Sequence, residues 1–491
     1  MNVDSQHDVS AANLAVGWVP ARLRRDGRGG RVTSPCKHRA LARSVFTNRT
    51  SMSTAESASA WRPRSRSYGR YIVGLLTVIN FVNYLDRMVV VTMYDDLRRI
   101  FHFDNAQLGA LSSGFFLVHA LATLPLGWAS DRFDRRRVIA FGVIAWSAAT
   151  LGSAFAVGFL SMLLLRACVG IGEAAYGPAS NTILCEVNPN AKARMNAIYN
   201  GGMFAGACAG LYLGGLLGFP LAFQLVAAPG FVLGLLVLTL SIPKRRIDLE
   251  DPGKQTLKHV ARDMAEGIRR TLSIRTLRWM LASGTLISFA AGGYITWIVD
   301  FTVQVKGMSQ DEARPLYAFI ALSGGVLGVL AGGIVADRWQ KKSPRGRVLT
   351  IAAGFFCAVP FCIGVILVDH GWPYIIIAWL LMFFLPFYSG PMPAVIDDVV
   401  DAEEATRAQA SFIPFLHILG TGSSAYIIGA VSEIPSVGMR WAFVLPATAT
   451  LLAGVCALRA SHFVAADIEE RNRRATRKSS SAGVSAPSTA A

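Results

Sequence analysis

Asp86, Arg87, His119, Arg166, Glu173 and His417 each stand inside an otherwise apolar stretch of the sequence. An ionisable side chain at such a position costs about 2.5–3.5 kcal/mol to bury in lipid, so it points to function by default. Asp86 and Arg87 close the segment Asn83-Tyr84-Leu85-Asp86-Arg87. Neighbours on a helix point in different directions, so each of the two needs its own partner. Arg166 and Glu173 are two helical turns apart, which puts them on one face about 10 Å apart along the axis, flanking one cavity. The planar Arg166 fork suits a phosphate or carboxylate. Buried carboxylates such as Asp86 and Glu173 are candidates for reversible protonation, because burial penalises the charged form. Arg87 can neutralise one of them in one conformation and release it in another. Asn83 and Tyr84 line the same cavity, with Tyr294, Trp297, Asp300 and Tyr388 on a facing wall. A fixed network of structural ion pairs is the competing reading. His119 and His417 read as satisfied packing histidines.

The elements that must position these groups are membrane helices. The chain has 491 residues, 53% hydrophobic and 16% charged, against about a quarter charged in soluble domains. Apolar runs of spanning length, roughly 20 residues, recur from Tyr71 to Phe463. They place spans at 70–94, 106–128, 137–156, 159–186, 194–217 and 221–242, then at 279–303, 313–336, 347–368, 373–396, 408–430 and 440–463. The fold class is an all-α membrane protein: twelve transmembrane helices in two six-helix bundles related by pseudo-two-fold symmetry. Residues 70–242 form the first bundle and 279–463 the second. The linker 243–278 carries Leu257, Val260, Ala261, Met264 and Ile268 at helical spacing among Lys258, Arg262, Arg269 and Arg270. That pattern is an amphipathic helix on the membrane face. Residues 1–69 read as a disordered basic tail, with Met52 an alternative start just ahead of the first span. Residues 464–491 read as a disordered tail. Gly292–Gly293 and Pro386, Pro391 and Pro393 predict bent or broken helices in spans seven and ten.

The formal charge of +17 sits in connections, which argues against nucleic acid as a partner. Basic residues follow spans two, four, six and eight, whereas the loops at 155–159 and 218–222 have no charged residue. The positive-inside bias therefore puts both termini in the cytoplasm, in a cell (inner) membrane. The seven cysteines form no CxxC pair, so they read as buried small hydrophobes rather than metal ligands. No metal and no cofactor are expected.

One segment occurs twice. Gly127-Trp-Ala-Ser-Asp131-Arg132 closes span two, and Gly333-Ile-Val-Ala-Asp337-Arg338 closes span eight. Internal repeats of this kind mark transporters whose substrate site lies between the repeats. Gly202, Gly206, Gly210, Gly214 and Gly218 make a ridge on span five, and Gly324, Gly328 and Gly332 make one on span eight. Such ridges let helices approach closely; the repeat resembles that of the Major Facilitator Superfamily, which implies that spans five and eight meet at the seam between the bundles, where smooth ridges would suit rocking of one bundle on the other.

The stretch GWASDRFDRRRV resembles the loop signature of the Major Facilitator Superfamily, with Asp131, Arg132, Arg135 and Arg136 at its acidic and basic positions. Asp134 stands where that family has glycine. The resemblance implies a conformational switch built on Gly127, Asp131, Arg132, Arg135, Arg136, Gly333, Asp337 and Arg338. A carboxylate at a helix end could latch to the other bundle and let go. Arg166-Ala-Cys-Val-Gly-Ile-Gly-Glu173, with NYLDR and the following Ala-Tyr-Gly-Pro, resembles bacterial spinster-like members. Eukaryotic spinster relatives move lysolipids. The resemblance therefore implies a monomeric secondary transporter for an amphipathic or organic anionic, lipid-like solute in the lipid bilayer, coupled to a co-transported proton. Asp86, Arg87 and Glu173 would carry the coupling. The Gly-Pro pattern of drug antiporters is absent, because Ala207 follows Gly206.

Other classes fare worse. No GxxxxGK sequence followed by Ser or Thr provides for ATP, and no HExxH or GxSxG provides for hydrolysis, so the chain is not expected to be an enzyme. A symporter of small carboxylates shares the Tyr-x-Asp-Arg pattern of the first span but calls for a further buried base in the second bundle. A transport-inactive sensor on the same fold is the alternative from another class.

Overall fold

The computed structural model describes residues 65–187, 192–242 and 257–483, all within the unit Trp61–Ala491. The tail readings for 1–64 and 484–491 fall outside the described residues, as does most of the linker ahead of Leu257. The described residues are helical, with no strand among them. Ten of these helices are long and apolar enough to cross a membrane. Arg135–Ser153, which opens on three arginines, and Lys192–Leu217, rich in glycine, complete the twelve.

Spans one to three are Arg66–Thr92, Asn105–Arg132 and Arg135–Ser153. Span four runs Phe159–Ala174 and resumes as Tyr176–Val187. The break at Ala175 has a cause in Pro178, which lacks an N–H and crowds the carbonyl four residues back. Spans five and six are Lys192–Leu217 and Leu221–Leu238. The linker helix, Leu257–Ser273, forms where its pattern predicted. It leans on span eleven, and Arg270 pairs with Glu404 there.

The second bundle is less regular. Span seven runs unbroken from Arg275 to Lys306, so Gly292–Gly293 is not a bend. A side chain at Gly292 would lie 2.5 Å from Ser424 Oγ, so this glycine serves close packing on span eleven. Span ten does break, into Trp372–Phe384, a 3₁₀ turn Leu385–Tyr388 and Pro391–Val399. Spans eight and eleven each contain an unforeseen π-segment, Ala321–Gly325 and Phe415–Thr421. Span nine is Gly346–Leu367, and span twelve is Gly438–Ala442 followed by Val444–Ser461.

The tail expected to lack structure instead forms the helix Val464–Gly483. Its Asp467 accepts the Thr276 N–H at 2.9 Å and the Thr276 hydroxyl at 2.6 Å, capping the start of span seven. Favourable contact with the helix dipole is thereby added. Of the cysteines, Cys362 is buried, but Cys168 and Cys357 are exposed on helix faces.

The glycine ridges do not meet each other. A side chain at Gly206 would stand 2.1 Å from the Phe81 carbonyl, and one at Gly210 2.5 Å from that of Leu85, so span five packs on span one. Gly328 and Gly332 likewise face the carbonyls of Phe383 and Phe387 on span ten. Both ridges serve packing inside one bundle. Spans five and eight still meet between the bundles, where the Cys208 thiol donates to the Ala318 carbonyl at 3.4 Å, and spans two and eleven make a second contact, where Gly109 faces the Ala425 carbonyl and Gly429 that of Asn105.

Candidate functional site

Spans one and four cross with their charges interleaved. The Arg87 Nε donates to Glu173 Oε2 at 2.6 Å, with the Glu173 side chain fully buried. Asp86 turns the other way, as adjacent helical positions require. Its Oδ2 accepts from the Thr150 hydroxyl of span three at 3.0 Å, and its Oδ1 lies 3.6 Å from Arg166 Nη1. That last separation is an ion pair too long for a hydrogen bond. Asp86 Oδ1, Arg166 Nη1 and Glu173 Oε1 are thus all buried without a hydrogen-bond partner. Unmatched atoms are rare in folded interiors, and here three sit on one cluster.

Aromatic faces hold the guanidiniums. Arg87 lies 4.7 Å over the Tyr84 ring and 5.3 Å from Phe115, and Arg166 lies 5.4 Å from the same Phe115. Cation–π contact strengthens when water is excluded. A void of about 10 Å³, lined by Arg87, Ser112, Phe115, Arg166 and Thr296 among others, has room for roughly one water. Both bundles line this void, Ile295 and Thr296 coming from the second. Asn83 is buried beside the charges, with Nδ2 unpartnered.

Expected members of the facing wall lie elsewhere. Tyr294 is fully buried against Phe443, its ring edge-on at 5.7 Å. Trp297 donates to the Ala425 carbonyl at 2.9 Å and packs on Tyr94. Both are core residues here. Asp300 is engaged by Arg98 from the first bundle, and Tyr388 packs on Phe355. His119 and His417 face each other across the bundles at 6.4 Å, and Nδ1 of each is buried without a partner. They are therefore not the satisfied packing histidines that the sequence suggested.

At the duplicated loops, Asp134 replaces glycine with a function of its own. It caps span three by accepting the Arg136 N–H at 3.1 Å, and it binds the Arg136 side chain at 3.1 and 2.8 Å. That guanidinium holds the Asp134 carboxyl below the usual carboxylate range. Arg136 also ties down the Leu240 carbonyl at the end of span six. Arg135 is buried and binds both oxygens of Glu186 at 3.0 Å, linking the start of span three to the end of span four. In the second bundle Arg347 binds Asp398 at 2.6 Å, linking spans nine and ten in the same way. Asp337 lies 3.8 Å from Arg347 of its own bundle, and Arg338 is exposed. A side chain at Gly333 would meet nothing within 4 Å, and at Gly127 only Pro178 at 3.9 Å. The side chains of Asp131 and Arg132 fall outside the described residues.

Sequence reasoning missed Thr150, Phe115, Glu186 and Arg98. A lone hydroxyl, a lone aromatic and a loop charge carry no signal until a partner across the fold is known. For Arg98 a trace existed: the sequence Tyr-Asp-Asp-Leu-Arg-Arg is an amphipathic turn in the connection between spans one and two.

Residues 76–421 match the Major Facilitator Superfamily family profile. The chain is 26% identical over 390 residues to Protein spinster of Drosophila melanogaster, covering 75% of this chain and 63% of that protein's own length. It is 26% identical to Protein spinster homolog 3 of Danio rerio, covering 75% and 77%. Among solved structures, a bacterial homolog of the human lysosomal transporter spinster, inward-facing and occupied, superposes with a TM-score of 0.70 at 20% identity, over 82% of this chain and 99% of that one. With twelve helices, a duplicated loop and a profile match across most of its length, this chain is a multi-pass membrane transporter that belongs to the Major Facilitator Superfamily.

Proposed function

We propose that the protein is a secondary active transporter working by alternating access, moving an amphipathic organic anion of the lysolipid class with proton coupling. The observation that carries this reading is the crossed pair of ion pairs, Arg87–Glu173 and Arg166–Asp86, left with three unmatched buried polar atoms. With both carboxylates ionised the four side chains sum to zero, and the cluster attracts no anion. A proton delivered to Glu173 removes its hold on Arg87. Two guanidiniums then face the cavity against one carboxylate, and an anionic head group is the natural counter-charge. When the proton leaves, Glu173 reclaims Arg87 and competes the head group away. Arg166, already loosely held at 3.6 Å, is the standing contact for the anion. The similarity to spinster proteins supports the lipid-like class, and the basic loops after even-numbered spans support cytoplasmic termini.

The test is ligand-induced thermal stabilisation of the purified protein by lysophospholipid across pH, for wild type, Glu173→Gln and Arg166→Ala. Stabilisation of wild type that Arg166→Ala abolishes supports the anion site. Wild-type binding that strengthens in acid, with Glu173→Gln fixed at the acidic level, supports the proton step. Stabilisation by small carboxylates and not by lysophospholipid would overturn the substrate class.

A further inference from the structure

The short helix Tyr94–Phe101, between spans one and two, lies at the end of the molecule opposite the duplicated loops. It meets span seven of the other bundle in two rungs. Tyr94 and Trp297 form the inner rung, with ring centroids 5.3 Å apart. One turn further out, Arg98 donates through Nη1 to Asp300 Oδ1 and through Nη2 to Asp300 Oδ2, both at 2.7 Å. Residues 94 and 98, like 297 and 300, lie about one helical turn apart, so the rungs stack in register. The Asp300 side chain is only 4% exposed and that of Arg98 22%.

The same guanidinium donates to Asn105 Oδ1 at 2.7 Å. Asn105 opens span two and carries the closure across to span eleven. Its side chain donates to Ser432 at 2.9 Å, and its backbone N–H donates to Glu433 Oε1 at 2.7 Å. Glu433 therefore puts an anion on the N-terminus of a helix in the other bundle. On the far side of the bundle, Arg314 of span eight donates to the Thr92 carbonyl at 2.8 Å, putting a cation on the C-terminus of span one. Each charge complements the dipole end it meets. Among bonds with both partners described, those joining the bundles lie between mid-bundle and this end.

We propose that the bidentate Arg98–Asp300 pair, braced by Asn105, is the latch of a gate that closes this end of the transport path. Opening toward this end requires the pair to separate. The fork is directional and desolvated, so it holds one geometry and tolerates little drift. Removing Arg98 leaves Asp300 charged and buried, which penalises the closed state, whereas removing Asp300 leaves Arg98 with Asp95 at 3.2 Å and costs less. The gate needs both bundles, since Arg98 belongs to one and Asp300 to the other. The inference rests on the alternating-access reading for why the pair must open, but its test needs no ligand.

The measurement is the distance between spin labels at Ile100→Cys and Ile434→Cys, two exposed positions flanking the latch, with the native cysteines replaced. The unaltered latch is expected to give one short distance. Arg98→Ala is expected to raise the population of a longer distance by about tenfold or more, the effect of unpairing a buried charge, and Asp300→Asn to raise it by less, because Arg98 keeps Asp95. The exchange Arg98→Asp with Asp300→Arg is expected to return the short distance, which a general loosening of the fold would not do. Unchanged distances in both single variants, or an exchange that stays as open as Arg98→Ala, would overturn the latch. Either result would leave the substrate reading intact, because ligand stabilisation is measured separately.

Discussion

In the first bundle, the space between spans one and four holds Asp86, Arg87, Arg166 and Glu173 with polar atoms unmatched. In the second bundle, spans seven, eight and ten hold three hydroxyls that satisfy one another. Thr302, Tyr317 and Tyr374 share a triangle of hydrogen bonds of 3.0, 2.7 and 2.7 Å. Lys306, a buried cation of that half, is spent on the carbonyls of Ile366 and Val368 at the end of span nine. Yet the scaffolds agree: Gly206 touches the Phe81 carbonyl as Gly328 touches that of Phe383, and Arg135–Glu186 has its counterpart in Arg347–Asp398. The repeat retains the way helices pack and the way helix ends are tied. It does not retain the chemistry, because a buried cluster of four charges is costly in a membrane and the shared packing does not require one.

The largest contrast should come from matched substitutions in the two interiors. Arg87→Ala strands Glu173 and is expected to abolish transport in vesicles and to destabilise the protein by about 3–5 kcal/mol. Tyr294→Phe removes a hydroxyl that has no hydrogen-bond partner, with the Cys362 thiol beside it. It is expected to leave both transport and melting temperature near wild type. Equal losses in the two variants would erase the division between a charged and a structural interior.

Next in size are the glycine contacts. Gly206→Ala and Gly328→Ala each push a methyl into backbone 2.1 and 2.0 Å away, and overpacking of this kind costs about 1–3 kcal/mol. Similar losses of thermal stability are expected for both, since the scaffold is shared. A loss in only one would show that the repeat is superficial.

The smallest effect separates the loops. Span three is capped by Asp134, whereas Arg345 at the N-cap of span nine makes no side-chain cap. Asp134→Ala is expected to cost about 1 kcal/mol. Because Arg136 holds the Asp134 carboxyl below its ordinary value, this contribution is full above an ordinary aspartate pKa of about 3.9. It is lost as pH falls through the lower folded-state value. Melting curves of wild type and variant should therefore converge in acid.

Much of this was legible before folding. Twelve apolar runs announced the spans, and the Pro-rich stretch of span ten announced its break. Arg347 is one of the basic residues that follow span eight, and its partner Asp398 is identified by the packing of spans nine and ten. The glycine ridges were visible but their destination was not. A small-residue stripe says that some helix comes close, and only the packing says which. Pro414 precedes the π-segment of span eleven, yet nothing local signals a π-segment rather than a kink.

By itself the sequence determined the membrane fold, the repeat and the identity of the buried charges, because these follow from hydropathy, period and the cost of ions in lipid. Which carboxylate meets which guanidinium was decided only by the tertiary structure. Asp86 reaches Arg166 across 80 residues, Arg87 reaches Glu173 across 86, and Arg98 reaches Asp300 across 202. Pairings at such separations depend on how helices cross, and crossing is set by the fit of many neutral side chains rather than by the charges it brings together.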